Sequence, residues 1–319
     1  MASINPEVVS RADEPHPEIA GLLQQMGAAP MPPLPSLGVE GARAFVDGMF
    51  PEAENPTEVA DTMELVIDAG EADITVRVYV PEAEPPFDPL VYVHGGGWAT
   101  GSLDTFEETC RQLTAATDRL TVSVDYRLSP EAKFPAPLED VYGAAKWVQD
   151  NAEALQVDPN DLAIAGDSAG GNLAAGVSHL ARDRGDLHIS RQVLLYPVTD
   201  TNFDTASYEE NAEGYLLSKA DMEHFWDAYL RDDTDARNPY AAPLQDSDFS
   251  DLPATTVMTC GFDPLRDEGA AYAQAVEEAG NDVNHIHYDD AIHGIAQMVI
   301  PPMAIERGAD IIADAAADL

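Results

Sequence analysis

The sequence predicts an α/β fold, a mostly parallel eight-stranded sheet flanked by helices. Three observations carry this expectation. From Met63 onward, short strand-like runs alternate with helix-length stretches. Several of the runs are continuously apolar, as strands buried on both faces are. Residues 137–151 place Val141, Ala144, Ala145 and Val148 at helical spacing. Strands alternating with helices build a sheet covered on both faces.

In chain order, residues 17–26 and 39–50 read as short helices, joined by a proline- and glycine-rich loop at 27–37 (GAAPMPPLPSL). Strands are expected at 63–68, 73–80, 89–93, 120–124, 161–165, 192–196, 255–259 and 283–288. Helices are expected at about 104–117, 137–151, 169–184, 267–280 and 301–315. Residues 200–237 break the rhythm: they follow a strand, hold a helix candidate at 219–230 and reach no strand. An insertion of that length suggests a lid or cap. The expected organisation is therefore N-terminal cap helices at 1–50, a first core segment at 51–199, a cap insertion at 200–237 and a second core segment at 238–319.

Charge narrows the partners. The 319 residues include 58 Asp and Glu against 16 Lys and Arg, a net charge of −42, and the lysines are Lys133, Lys146 and Lys219 alone. The acids spread along the whole chain, which reads as a solvated acidic surface rather than a tail. Such a surface repels nucleic acid and anionic membranes, and it suits a high-salt cytoplasm, where screening shortens like-charge repulsion. Residues 1–30 lack a basic segment followed by an apolar run, and no apolar run approaches a membrane span. A soluble cytoplasmic protein is expected, with no nucleic-acid partner; its oligomeric state is open, a homodimer being one option. Two cysteines, Cys110 and Cys260, allow one disulfide at most and no four-cysteine zinc site.

Two glycine-rich motifs carry chemistry. The strand at 161–165 runs into Gly166-Asp167-Ser168-Ala169-Gly170-Gly171, a G-x-S-x-G elbow in the strand–turn–helix context it requires. Side chains at Gly166 or Gly170 would collide with neighbouring chain, and the turn strains Ser168 so that its hydroxyl is displayed before a helix N-terminus. His94-Gly95-Gly96-Gly97-Trp98 follows the strand at 89–93. Consecutive glycines present backbone N–H groups to a developing oxyanion, and no Gly-Lys-Ser/Thr follows to make a phosphate loop. His94 reads as a brace for this loop, and Trp98 as a candidate substrate contact.

A nucleophilic serine needs a base, and the base an orienting acid. In hydrolases with such an elbow the order is Ser, then Asp or Glu, then His. Of eight histidines, His293 lies after the last strand, in Asp290-Ala291-Ile292-His293-Gly294. His285 and His287 fall within that strand on one face and read as packing or solvent positions; a metal pair with Asp289 is the weaker reading. Asp263 follows the penultimate strand, whereas Asp267 and Glu268 open the next helix, where acids favour the dipole.

At this point the chain resembles the hormone-sensitive-lipase-like (HGGG-type) family of α/β-hydrolase carboxylesterases. The resemblance rests on HGGGW (94–98), DYRLSPEAKFPAPLEDVYGAAKWV (125–148), GDSAGGNLA (166–174), YP (196–197), DPLRDEG (263–269) and HG (293–294). It implies a carboxylesterase with Ser168, Asp263 and His293 as triad. It also implies an oxyanion hole from the N–H groups of Gly96, Gly97 and Ala169, and a helical cap. Ile295 departs from the aromatic residue usual after His-Gly, which leaves the pocket's shape in question. The expected reaction is two-step acyl transfer on a short to medium small-molecule ester, without metal or organic cofactor. An amide hydrolase or deacetylase would use the same triad. A non-catalytic receptor of this kind would lack the histidine.

Overall fold

The computed structural model describes residues 9–28, 34–300 and 303–319. Its strands are β1 (Asp61–Asp68), β2 (Asp73–Val80), β3 (Pro89–Val93), β4 (Leu120–Asp125), β5 (Ala163–Asp167), β6 (Arg191–Leu195), β7 (Ala254–Phe262) and β8 (Val283–Ile292). They form one eight-stranded sheet in the order β1-β2-β4-β3-β5-β6-β7-β8. β2 runs antiparallel to both β1 and β4, and every pair from β4 to β8 is parallel. The helices are α1 (Pro17–Ala28), α2 (Leu34–Met49), α3 (Glu107–Thr117), α4 (Ala136–Asp150), α5 (Ala152–Leu155), α6 (Ala169–Arg184), α7 (Ala206–Glu210), α8 (Lys219–Tyr229), α9 (Arg266–Glu278) and α10 (Glu306–Ala317).

Burial explains the patterning. β3 and β5 are buried along their whole length, because helices cover both faces of the parallel region. Successive side chains of β3 enter opposite cores: Val91 and Val93 join residues of α4, α6 and α9, while Leu90 and Tyr92 join residues of α3 and α10. The edge strand β1 pairs on one side only and exposes Met63 and Val66.

Several local readings change: β7 and β8 run on to Phe262 and Ile292, beyond the expected 259 and 288. The loop expected at 27–37 is helical through Ala28 and again from Leu34, with 29–33 outside the described residues. Gly38 kinks α2 at φ 66°, ψ 173°. β5 starts two residues later than expected, since Pro159–Asp161 form a 3₁₀ turn whose Asn160 N–H is capped by Asp158. The last helix begins at Glu306 rather than 301; residues 301–302 lie outside the described residues.

Candidate active site

The site is assembled at the carboxyl ends of β3, β5, β7 and β8. Ser168 sits between β5 and α6 at φ 54°, ψ −119°, a conformation side-chain-bearing residues avoid. Its N–H donates to Leu195 O at 2.9 Å, which pins the elbow to β6. The flanking glycines are steric necessities. A Cβ at Gly166 would lie 2.6 Å from Val93 O, and one at Gly170 would lie 2.0 Å from the same atom.

His293 follows β8 directly and Asp263 follows β7. Ser168 Oγ lies 2.8 Å from His293 Nε2, and His293 Nδ1 lies 2.8 Å from Asp263 Oδ2. A carboxylate only accepts, so Nδ1 carries the proton and Nε2 is left to accept from the serine. Asp263 is held in turn: Leu265 N–H donates to its Oδ1 at 2.9 Å, and Asn211 donates to its carbonyl at 3.1 Å. Asp263 is fully buried, whereas Ser168 and His293 keep a small exposed surface.

The glycine loop lies opposite. Gly96 O accepts from Thr100 N–H and Oγ1, each at 2.9 Å, so its carbonyl is committed to a turn. Among the described residues none accepts from the N–H groups of Gly96, Gly97 or Ala169, and Ala169 N–H opens the 16-residue helix α6. Gly95 N–H instead donates to Asp167 Oδ1 at 2.9 Å. Asp167 also accepts from Tyr92 OH at 3.0 Å and Gln297 Nε2 at 3.2 Å. Burial pushes its carboxyl up to about 6. His94 donates from Nδ1 to Gly95 O at 2.8 Å and stacks on Tyr126 at 4.3 Å. Burial holds it down at about 4, so at neutral pH it is an uncharged brace.

A cavity of about 720 Å³ opens on Ser168 and His293. Its apolar wall comes from α1 and α2 (Met26, Phe45, Met49) and from the 212–225 segment (Leu216, Leu217, Phe225). Trp98 does not line it, which corrects the expected substrate contact. With φ at 58° the chain turns the indole inward. There it is fully buried, stacks on Tyr229 at 4.3 Å and donates to Asn172 Oδ1 at 3.2 Å. Ile295 is likewise core, not cavity, so its departure from an aromatic leaves the cavity wall unchanged. His285 and His287 each lie 2.9 Å from Thr259 Oγ1, and His287 Nε2 donates to Ser10 O at 2.7 Å. Among the described residues no group of three or more His, Cys, Asp or Glu is placed to hold a metal ion. Sequence reasoning missed Tyr92, Gln297 and Phe225. No local pattern marks them, because each reaches the site only through the packing of its element.

Residues 90–297 match the family model described as the α/β-hydrolase fold. The chain belongs to the α/β-hydrolase family. Carboxylesterase NlhH of Mycobacterium tuberculosis is 37% identical over 86% of this chain and 88% of its own length. An arylesterase of Saccharolobus solfataricus is 34% identical over 83% and 86%, and an arylacetamide deacetylase of Bos taurus is 32% identical over 80% of each. Among solved structures, an ester-hydrolase from the metagenome of Lake Arreo superposes with a TM-score of 0.90 at 40% identity, covering 95% of this chain and 97% of the other. These relatives agree with the hormone-sensitive-lipase-like resemblance of the motifs. No helix among the described residues of this α/β-hydrolase is long and apolar enough to cross a membrane.

Proposed function

We propose that this α/β-hydrolase is a serine carboxylesterase that cleaves short to medium acyl esters through an acyl-enzyme intermediate. The observation that carries the reading is the chain Ser168 Oγ–His293 Nε2 and His293 Nδ1–Asp263 Oδ2, both at 2.8 Å, opening on an apolar-walled cavity. Neutral His293 takes the Ser168 proton as Oγ attacks the ester carbonyl. The N–H groups of Gly96, Gly97 and Ala169 receive the oxyanion. Asp263 keeps the imidazole tautomer and steadies the imidazolium; His293 then protonates the leaving alcohol, and water repeats the sequence on the acyl-enzyme. The relatives named carboxylesterase and arylesterase support the ester class.

In this reading α1, α2 and the 200–237 insertion form the cap, since they supply the cavity wall opposite the sheet. A volume of about 720 Å³ lies in the small-molecule range and favours butyryl or hexanoyl over palmitoyl esters. The net charge of −42 supports a high-salt cytoplasm. The exposed edge of β1 is where a homodimer would extend the sheet. The test is a fluorophosphonate probe with a chain-length series. Labelling at Ser168 and a higher kcat/KM for butyryl than palmitoyl esters are expected; labelling elsewhere, or the reverse order, overturns the reading. A second reading, amide cleavage, is favoured by the similarity to arylacetamide deacetylases, and matched esters and anilides of one acid separate the two.

A further inference from the structure

Two cavities share part of their walls. The larger, about 720 Å³, has Ser168 and His293 in its wall. The smaller, about 280 Å³, lies between α2 and α8 and is walled by Val39, Ala42, Ala99, Pro130 and Ala228. Leu34, Thr100 and Phe225 belong to both walls, and of these Phe225 is the one aromatic ring. Phe225 is almost wholly buried. Its ring rests on bare backbone of the oxyanion loop: a Cβ at Gly97 would lie 2.4 Å from its Cδ1 and Cγ, and Gly97 holds φ 60°.

The ring's position is well determined. α8 starts with a reciprocal cap between Ser218 and Asp221, which fixes where the helix begins. The next residue, Trp226, packs on Trp98 at 4.7 Å and on Tyr229 at 6.0 Å, so the helix face is locked against the core. The smaller cavity is chemically suited to hydrocarbon. Its walls are mostly methyl and methylene groups, while His224 and Asp227 are exposed at its outer side.

We infer that Phe225 is a specificity-determining residue: it closes the ester cavity off from a second apolar subsite between α2 and α8, and so sets the acyl-chain length the protein accepts. The subsite's occupant is the distal hydrocarbon of a longer acyl chain. The inference rests on the carboxylesterase reading.

Nitrophenyl esters from butyryl to dodecanoyl test it, with kcat/KM measured for the unmodified protein, Phe225→Ala, and Phe225→Ala combined with Ala42→Phe. Ala42 lines the smaller cavity and not the larger, so Phe there refills the subsite without reaching Ser168. Phe225→Ala is expected to raise the decanoyl-to-butyryl ratio by at least about tenfold, the effect of two more buried methylenes. Adding Ala42→Phe is expected to return the ratio to within about twofold of the unmodified value. A merely structural role for Phe225 would not be reversed by filling a neighbouring cavity. Phe225→Leu, which retains most of the apolar volume, gives a smaller rise in the same direction and serves if the alanine variant does not fold. A ratio that stays unchanged, or one that Ala42→Phe fails to reverse, overturns the inference alone. Absence of hydrolysis of every ester by the unmodified protein overturns the carboxylesterase reading, and this inference with it.

Discussion

The carboxylate of Asp167 accepts the N–H of Gly95 at 2.9 Å, so the residue preceding Ser168 holds the loop that bears Gly96 and Gly97. Through Gln297 the same carboxylate also reaches the loop after His293. Nucleophile elbow, glycine loop and histidine loop thus share one buried anchor.

Asp167→Asn tests that anchor. Burial raises this carboxyl from 3.8 to about 6, so the folded state holds its proton more tightly than the unfolded chain does. The penalty of ionising it in the fold is absent below about pH 4, grows as pH rises, and is complete above about pH 6. Asn removes that penalty. The stability difference between variant and unmodified protein should therefore shift toward the variant by an amount on the order of 3 kcal/mol between those limits. The amide also sets a donor against Gln297, so kcat/KM should fall, by less than the roughly 10²–10³ lost on deleting an oxyanion donor. Denaturant unfolding and ester hydrolysis across pH 4–8 read both effects.

Ser168 carries backbone strain at φ 54°. Ser168→Ala and Ser168→Gly should each lower kcat by roughly 10⁶. The glycine variant should be more stable than the alanine variant by about 1 kcal/mol, because only glycine adopts this backbone freely. A thermal melt of the two inactive proteins makes the comparison without interference from turnover.

The histidines separate by role. His293→Ala should abolish activity nearly as fully as loss of the serine does. Replacing His285 and His287 together should leave most activity while costing about 1–2 kcal/mol of stability, since their bonds to Thr259 and Ser10 tie β7, β8 and the N-terminal segment together. If the double variant lost turnover and His293→Ala kept it, the assignment of the base would be reversed.

Salt should stabilise the protein. The few cations are already crowded by acids: Arg77 alone contacts Glu64, Asp104 and Glu107, and the surplus of acids gives the net charge of −42. The Debye length falls from about 30 Å at 0.01 M salt to about 3 Å at 1 M, which removes most of the repulsion favouring an expanded chain. The melting temperature and the esterase rate should both climb from about 0.05 M to molar potassium chloride. Flat or falling curves would show that the acidic surface is no adaptation to salt.

The strands of the sheet's centre were legible because strands buried on both faces leave unbroken apolar runs, a local signal that survives without neighbours. Ser168, Asp263 and His293 were legible because each stands directly after a strand end, where an α/β sheet displays functional side chains. Gly166 and Gly170 announced the close approach of β3 by lacking a side chain. Other features had no such signal. Trp98 adjoins the glycine loop in sequence, but its indole is buried against Tyr229 and Asn172, partners far away along the chain. Gly95, Tyr92 and Gln297, which bond to Asp167, lie 72, 75 and 130 residues away from it, and Phe225 reaches Gly97 only because α8 docks on the core through Trp226 and Tyr229. The sequence by itself determined the succession of strands and helices along the chain, the elbow and the candidate triad, since these follow from periodicity, glycine sterics and position along the chain. The tertiary structure alone decided the walls of the cavity and the anchor beneath the glycine loop, because side-chain direction and long-range contact arise only when separate elements pack against one another.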